Sequence, residues 1–216
     1  MITGCSSARF YHNEPALLFR NIDYGFPTTQ GTVNGVGMAW YDSGGDGPVV
    51  LLVHGLASNA GFWRYNVPAL AAEGFRVIAV DLPGYGKSDK AYGTPYGMGF
   101  YAATLDALLE KLGIASATVA GHSMGGQIAM TMVLKGSTRV ERLILLSPAG
   151  IERFDDGEGR WLAGAVSPAF VINTPEDRIR TNLTANFHNW RDELEWMVEE
   201  RVRMAKDPEF ERFAYV

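Results

Sequence analysis

The apolar positions of this chain follow two periods in turn, and the change between them divides the sequence. Residues 1–31 follow neither. Pro15, Pro27 and scattered polar residues read there as an N-terminal extension lying over the surface. From Thr32 the pattern is that of strands. Thr32–Val36 and Gly37–Asp42 flank Asn34-Gly35, a pair suited to a tight hairpin because both residues tolerate a positive φ. Ser43–Pro48 is a loop. Val49-Val50-Leu51-Leu52-Val53 is apolar at every position, as in a strand buried on both faces, and Arg76–Val80 repeats the theme. Ala117–Ala120 and Arg142–Leu146 are further strands. Helical spacing predicts helices over Phe62–Gly74, Gly99–Gly113 and Ser123–Lys135, the first two closed by glycine. Strands alternating with helices predict an α/β fold: a mostly parallel sheet with helices on both faces, opened by an antiparallel hairpin.

After Gly150 the strand signals stop. Trp161–Phe170, Pro175–Phe187 and Arg191–Ala205 read as helices, the last with Leu194, Met197, Val198 and Val202 as its apolar stripe. Trp161, Phe170, Phe187, Trp190 and Trp196 are expected mostly as core of this all-helical part, the alternative being the wall of an apolar pocket. The organisation is therefore an extension (1–31), an α/β core (32–150) and a helical cap (151–216).

Charge and cysteine content narrow the partners. A net charge of -5 argues against nucleic acid, which needs a Lys/Arg surplus on one face. No apolar run approaches the roughly 20 residues of a membrane-spanning helix. The single cysteine, Cys5, excludes an internal disulfide and a cysteine-built metal cluster; no metal and no cofactor is expected. Ile2-Thr3-Gly4-Cys5-Ser6-Ser7 resembles the end of a bacterial lipoprotein signal, but the basic and apolar segments that should precede it are missing. Localisation stays open between the cytoplasm and a membrane anchor through Cys5, the latter if the true start lies upstream.

Three motifs carry chemistry. Gly121-His122-Ser123-Met124-Gly125 comes directly after a strand and directly before a helix, the setting of a nucleophile elbow. Gly121 and Gly125 are needed where backbone approaches too closely for a Cβ, and the turn lifts the Ser123 hydroxyl above the sheet. Val53-His54-Gly55-Leu56-Ala57-Ser58 also follows a buried strand, where the Leu56 N–H can form half of an oxyanion hole and the Met124 N–H the other half. His54 reads as a buried structural hydrogen bonder, and His122 as an elbow side chain packed nearby rather than a base. Asp81–Ser88 is a tight glycine- and proline-fixed loop. It lacks the pattern of a phosphate loop and reads as a brace for the floor of the site.

In this order and spacing the three motifs resemble the α/β-hydrolase family, over residues 32–150 and more loosely through the helical part, which resembles that family's cap. The resemblance implies a hydrolase with Ser123 as catalytic nucleophile, Leu56 and Met124 as the oxyanion hole, and Gly121, His122, Gly125, His54 and Gly55 as support. It implies a small-molecule ester or acyl substrate. Serine at the elbow sets the chain apart from the dehalogenases and epoxide hydrolases, which carry aspartate there. His-Gly-Leu-Ala departs from the commoner His-Gly-x-Gly and puts the width of the oxyanion loop in question. Besides an esterase, a carbon–carbon bond hydrolase or a cofactor-free haloperoxidase fits the same frame, as does a non-catalytic lipoprotein or interaction module.

A serine nucleophile needs a base, and the base an orienting acid. In the family these follow the nucleophile as an acid after a late strand and then a histidine. No such pattern follows residue 150. His188 sits in a cap segment, and Ser147-Pro148-Ala149 offers no carboxylate after its strand. The expectation is a chain truncated after the cap, with acid and histidine beyond Val216 or on a complementing C-terminal fragment.

Overall fold

The computed structural model describes residues 9–216, so the Cys5 segment lies outside the described residues. The described chain forms two compact units. One comprises residues 23–159 together with Val216; the other joins residues 9–22 to 160–215.

The first unit is built on a six-stranded sheet. Its strands are β1 (Thr29–Val33), β2 (Val36–Asp42), β3 (Val49–Val53), β4 (Arg76–Asp81), β5 (Ala117–His122) and β6 (Val140–Leu146). Their order is β1-β2-β4-β3-β5-β6. The β1/β2 and β2/β4 pairs are antiparallel; the β3/β4, β3/β5 and β5/β6 pairs are parallel. Asn34 (φ 49°) and Gly35 (φ 80°) make the hairpin, both left-handed as a tight two-residue turn demands. β1 begins at Thr29, so the sheet extends into the stretch expected to be surface extension.

The helices of this unit are α1 (Asn66–Ala72), α2 (Met98–Lys111) and α3 (Met124–Leu134). The expected helix over 62–74 is shorter. A 3-10 turn, Ala60–Trp63, precedes it because Asn59 caps that turn, its side chain accepting from the Gly61 N–H. β3 and β4 are buried along almost their whole length, and Leu51, Ile78, Leu105, Leu108 and Ile128 fill the space between sheet and helices. At 25 cal/mol per Å² each such side chain contributes roughly 1.5–3 kcal/mol of transfer free energy. β6 differs: Ile144 and Leu146 are about half exposed, and Leu134 at the end of α3 is 85% exposed.

The second unit holds the helical segments α5 (Pro168–Ile172), α6 (Glu176–Thr184), α7 (Glu195–Met204) and α8 (Phe210–Ala214), with most of α4 (Asp156–Ala165). The helix expected over 161–170 is broken in two. Ser167 caps a new start, with Pro168 at its first position where no N–H is needed. Val198 and Val202 of α7 pack with Tyr11, joined by Ile179, Leu183 and Trp190. Residues 9–22 are mostly exposed but pinned down at three points. Tyr11, Phe19 and Ile22 are buried, Lys206 Nζ donates to the His12 carbonyl, and Asp207 accepts from the Phe19 N–H. The polar look of this stretch misleads because Tyr11, Phe19 and Ile22 turn inward, although Phe10 is 58% exposed. Trp161 (73% exposed) and Phe170 (43%) are not core, contrary to the expectation for the cap aromatics. Among the described residues no helix is long and apolar enough to cross a membrane.

Candidate active site

From β3 the chain crosses to β4 on one side, and β5 lies on the other. The carboxyl ends of β3 and β5 therefore flank a topological switch point, where open parallel sheets bind ligands. The β3 end is Val53, leading into His54-Gly55-Leu56; the β5 end is His122, leading into Ser123.

Ser123 lies between β5 and α3 with φ 52° and ψ −118°, a backbone that side chains other than glycine seldom adopt. The surrounding glycines make the turn possible. A Cβ on Gly125 would fall on the Val53 carbonyl and within 2.6 Å of the His54 carbonyl; one on Gly121 would lie 2.5 Å from the Gly126 nitrogen. The start of α3 thus packs backbone to backbone on the end of β3. A Cβ on Gly55 would sit 3.2 Å from the Ser123 Cβ and 3.1 Å from His122 Nδ1, so the loop after β3 passes directly beside the serine. Met124 is the first residue of α3, where the N–H has no intrahelical acceptor. Leu56 is 47% exposed in the turn after Gly55. Ala57 follows with φ 54°, so alanine takes the left-handed backbone at the place where the commoner motif has glycine. Alanine there bears the strain of that backbone.

His54 is fully buried. Its Nδ1 bonds the Gly55 carbonyl (2.8 Å) and its Nε2 faces the Leu82 N–H (3.1 Å). A carbonyl only accepts and an amide only donates, so the ring is neutral with its proton on Nδ1. Burial pulls its pKa from 6.5 down to about 4, against the opposing bond to Gly55 and helped by the nearby His122. Both nitrogens being occupied, His54 ties the loop after β3 to the loop after β4. His122 stacks on Phe62 (4.7 Å between centroids, 24°), and burial lowers its pKa as well.

The loop after β4 is anchored by Asp81. Its buried carboxylate accepts from the Ala60 N–H (2.7 Å), the Lys87 N–H (2.8 Å) and the Tyr24 hydroxyl (2.8 Å). Burial raises its pKa, opposed by these bonds and by Lys90. Asp81, Leu82 and His54 form one chain of support reaching Gly55.

Four residues that the sequence reading gave no part in positioning Ser123, Leu146 to Ala149, adjoin it. The Ser123 N–H donates to the Leu146 carbonyl and its carbonyl accepts from the Ala149 N–H, both 3.0 Å. Ser147 has φ 43°, and a Cβ on Gly126 would meet the Pro148 Cβ at 2.7 Å. The signal was the proline two residues past the end of a strand, which ends ordinary pairing. His188 is exposed, in the helical unit.

Residues 48–194 match the family model described as alpha/beta hydrolase fold, and the chain belongs to that family. It is 34% identical to a probable hydrolytic enzyme from Pseudomonas aeruginosa PAO1, whose crystal structure matches with a TM-score of 0.78 over 93% of this chain and 68% of that one. A variant of the meta-cleavage product hydrolase from Pseudomonas fluorescens IP01 matches at 27% identity and a TM-score of 0.69, over 87% of this chain and 67% of that one. Among curated proteins, the dihydrolipoyllysine-residue acetyltransferase component of the acetoin cleaving system of Pseudomonas putida is 41% identical over 138 residues, 63% of this chain and 36% of that protein. The chain spans 19% to 40% of the length of the first curated relatives it matches.

Proposed function

We propose that the protein is a serine hydrolase of carboxylic esters or related small acyl substrates. Ser123 Oγ attacks the acyl carbonyl, and the Leu56 and Met124 N–H groups receive the oxyanion. The observation that carries this reading is the left-handed Ser123 between the end of β5 and the start of α3, with the loop after β3 alongside. Two backbone donors aimed at a developing oxyanion are each worth about 3–4 kcal/mol of barrier. His54 has both nitrogens engaged and is held neutral, so it is not the base.

A second reading, a carbon–carbon bond hydrolase, draws support from the likeness to the meta-cleavage product hydrolase. Both readings use Ser123 and differ in substrate. The test is labelling of the protein by a fluorophosphonate, with mass spectrometry of the Ser123 peptide. A panel of nitrophenyl esters and a vinylogous diketone follows. Labelling at Ser123 and ester turnover abolished in Ser123→Ala are expected. Turnover untouched by that substitution sinks the nucleophile, and exclusive turnover of the diketone sinks the esterase.

A further inference from the structure

The described residues include four non-glycine positions with positive φ. One is Asn34 of the hairpin. The other three, Ala57, Ser123 and Ser147, follow the carboxyl ends of the adjacent parallel strands β3, β5 and β6. Strain of this kind persists only where the surroundings over-determine the backbone. For Ser123 the over-determining groups can be named.

The parallel ladder between β5 and β6 runs on past both strand ends. In a regular parallel ladder a residue donates to one neighbour and accepts from the residue two further along. Ser123 donates to the Leu146 carbonyl, so its carbonyl should accept from residue 148. That residue is Pro148, which has no N–H. The bond comes instead from Ala149, at 3.0 Å. The β6 side therefore holds one residue more than the β5 side, which is a bulge, and Ser147 takes up the excess with φ 43°. Pro148 then packs over Gly126, and a Cβ on Gly150 (φ 86°) would press on Gln127, so the segment lies along the first turn of α3.

We infer that Ser147, Pro148 and Ala149 form a positioning clamp for the nucleophile, an inference that rests on the reading of Ser123 as the attacking residue. Both backbone polar groups of Ser123 are bonded to this one bulged segment, the carbonyl also accepting from the Gly126 and Gln127 N–H groups of α3, so the register of the segment against α3 sets the direction of the Ser123 side chain. Pro148 sets that register by denying the ladder its regular donor. Ser147 is exposed, so its own side chain contributes no packing that a substitution would remove.

Three variants of the intact protein separate positioning from simple structure. Pro148→Ala restores an N–H at the regular place while keeping the Cβ over Gly126, and offers the ladder the shorter register. Ser147→Val puts a β-branched side chain where φ is positive, which such residues resist. Ser147→Gly keeps the bulge at no steric cost. The readouts are the second-order rate of Ser123 labelling by a fluorophosphonate, kcat and KM on a nitrophenyl ester, and the melting temperature. Pro148→Ala and Ser147→Val are expected to lower labelling and kcat by about ten- to a hundredfold with KM little changed, the scale of a small misplacement of a reacting group. Ser147→Gly should stay within about twofold of the wild type on both. Should Ser147→Val not fold, Pro148→Ala decides. A folded Pro148→Ala that labels at the wild-type rate overturns the clamp and leaves the nucleophile standing. A wild type that does not label at Ser123 overturns the nucleophile reading, and the clamp with it.

Discussion

Replacing His54 by glutamine should flatten the acid side of the stability profile of the sheet-bearing unit. His54 is fully buried with a pKa of about 4, against 6.5 for an exposed imidazole. Between those values the unfolded chain binds a proton at this position and the folded chain does not. Stability is therefore at its plateau above pH 6.5 and falls as pH drops toward 4, with a slope approaching about 1.4 kcal/mol per pH unit. Over the interval of about 2.5 pH units this comes to about 3 kcal/mol, a large share of a typical domain's stability. Glutamine offers an N–H to the Gly55 carbonyl and an oxygen to the Leu82 N–H, and does not titrate. Asp81, whose pKa is raised by burial, acts with the opposite sign, and His122, lowered by burial, acts with the same sign. Both remain in the variant, so the difference between the two proteins isolates His54. Native-state hydrogen exchange at the amides of β3 and β4, corrected for the intrinsic pH dependence of exchange, reads the opening free energy of this unit alone. Parallel curves for wild type and His54→Gln from pH 6.5 to 4 would refute the reasoning. So would a His54 ring proton that titrates near 6.5 by NMR.

Further expectations follow from the same geometry. Gly125→Ala drives a methyl into the Val53 and His54 carbonyls and should cost about 3 kcal/mol or more, because the opposing atoms are backbone; a smaller loss by the same exchange measurement would mean that β3 and α3 can part. Ala57→Gly relieves about 1–2 kcal/mol of left-handed strain and loses about 0.4–1 kcal/mol to unfolded-state entropy, a net gain of about 0.5 kcal/mol; a clear loss in exchange protection contradicts it. Tyr24→Phe removes one of three donors to the buried Asp81 carboxylate and should cost about 1.5–3 kcal/mol, and an unchanged exchange profile would show that bond to be idle.

Much of this architecture was legible because it depends on short-range rules. The all-apolar run Val49–Val53 is a strand between two others, and Asn34-Gly35 makes the turn its φ preferences demand. The tight turn around Ser123 was legible because Gly121 and Gly125 are required by the backbone contacts it makes. What escaped depends on partners far away in sequence. Nothing local marks Phe19 as core; its ring meets Phe213 (5.5 Å). The break at Ser167-Pro168 was a local cap signal outweighed by helical spacing. The bulge at Ser147 arises from pairing between β5 and β6, so only the register exposes it. The engagement of both His54 nitrogens likewise needs Leu82, 28 residues on.

The joining of residues 9–22 to helices near residue 200 bears on the order in which the protein is made. The Phe19 amide waits for Asp207, 188 residues later, and the Leu17 amide for the Arg203 carbonyl. All six strands of the sheet, which end at Leu146, are synthesised before either partner exists. A nascent chain can thus close its sheet while its first residues are still unpartnered, and the helical unit forms last, by the slow closure of a very long loop.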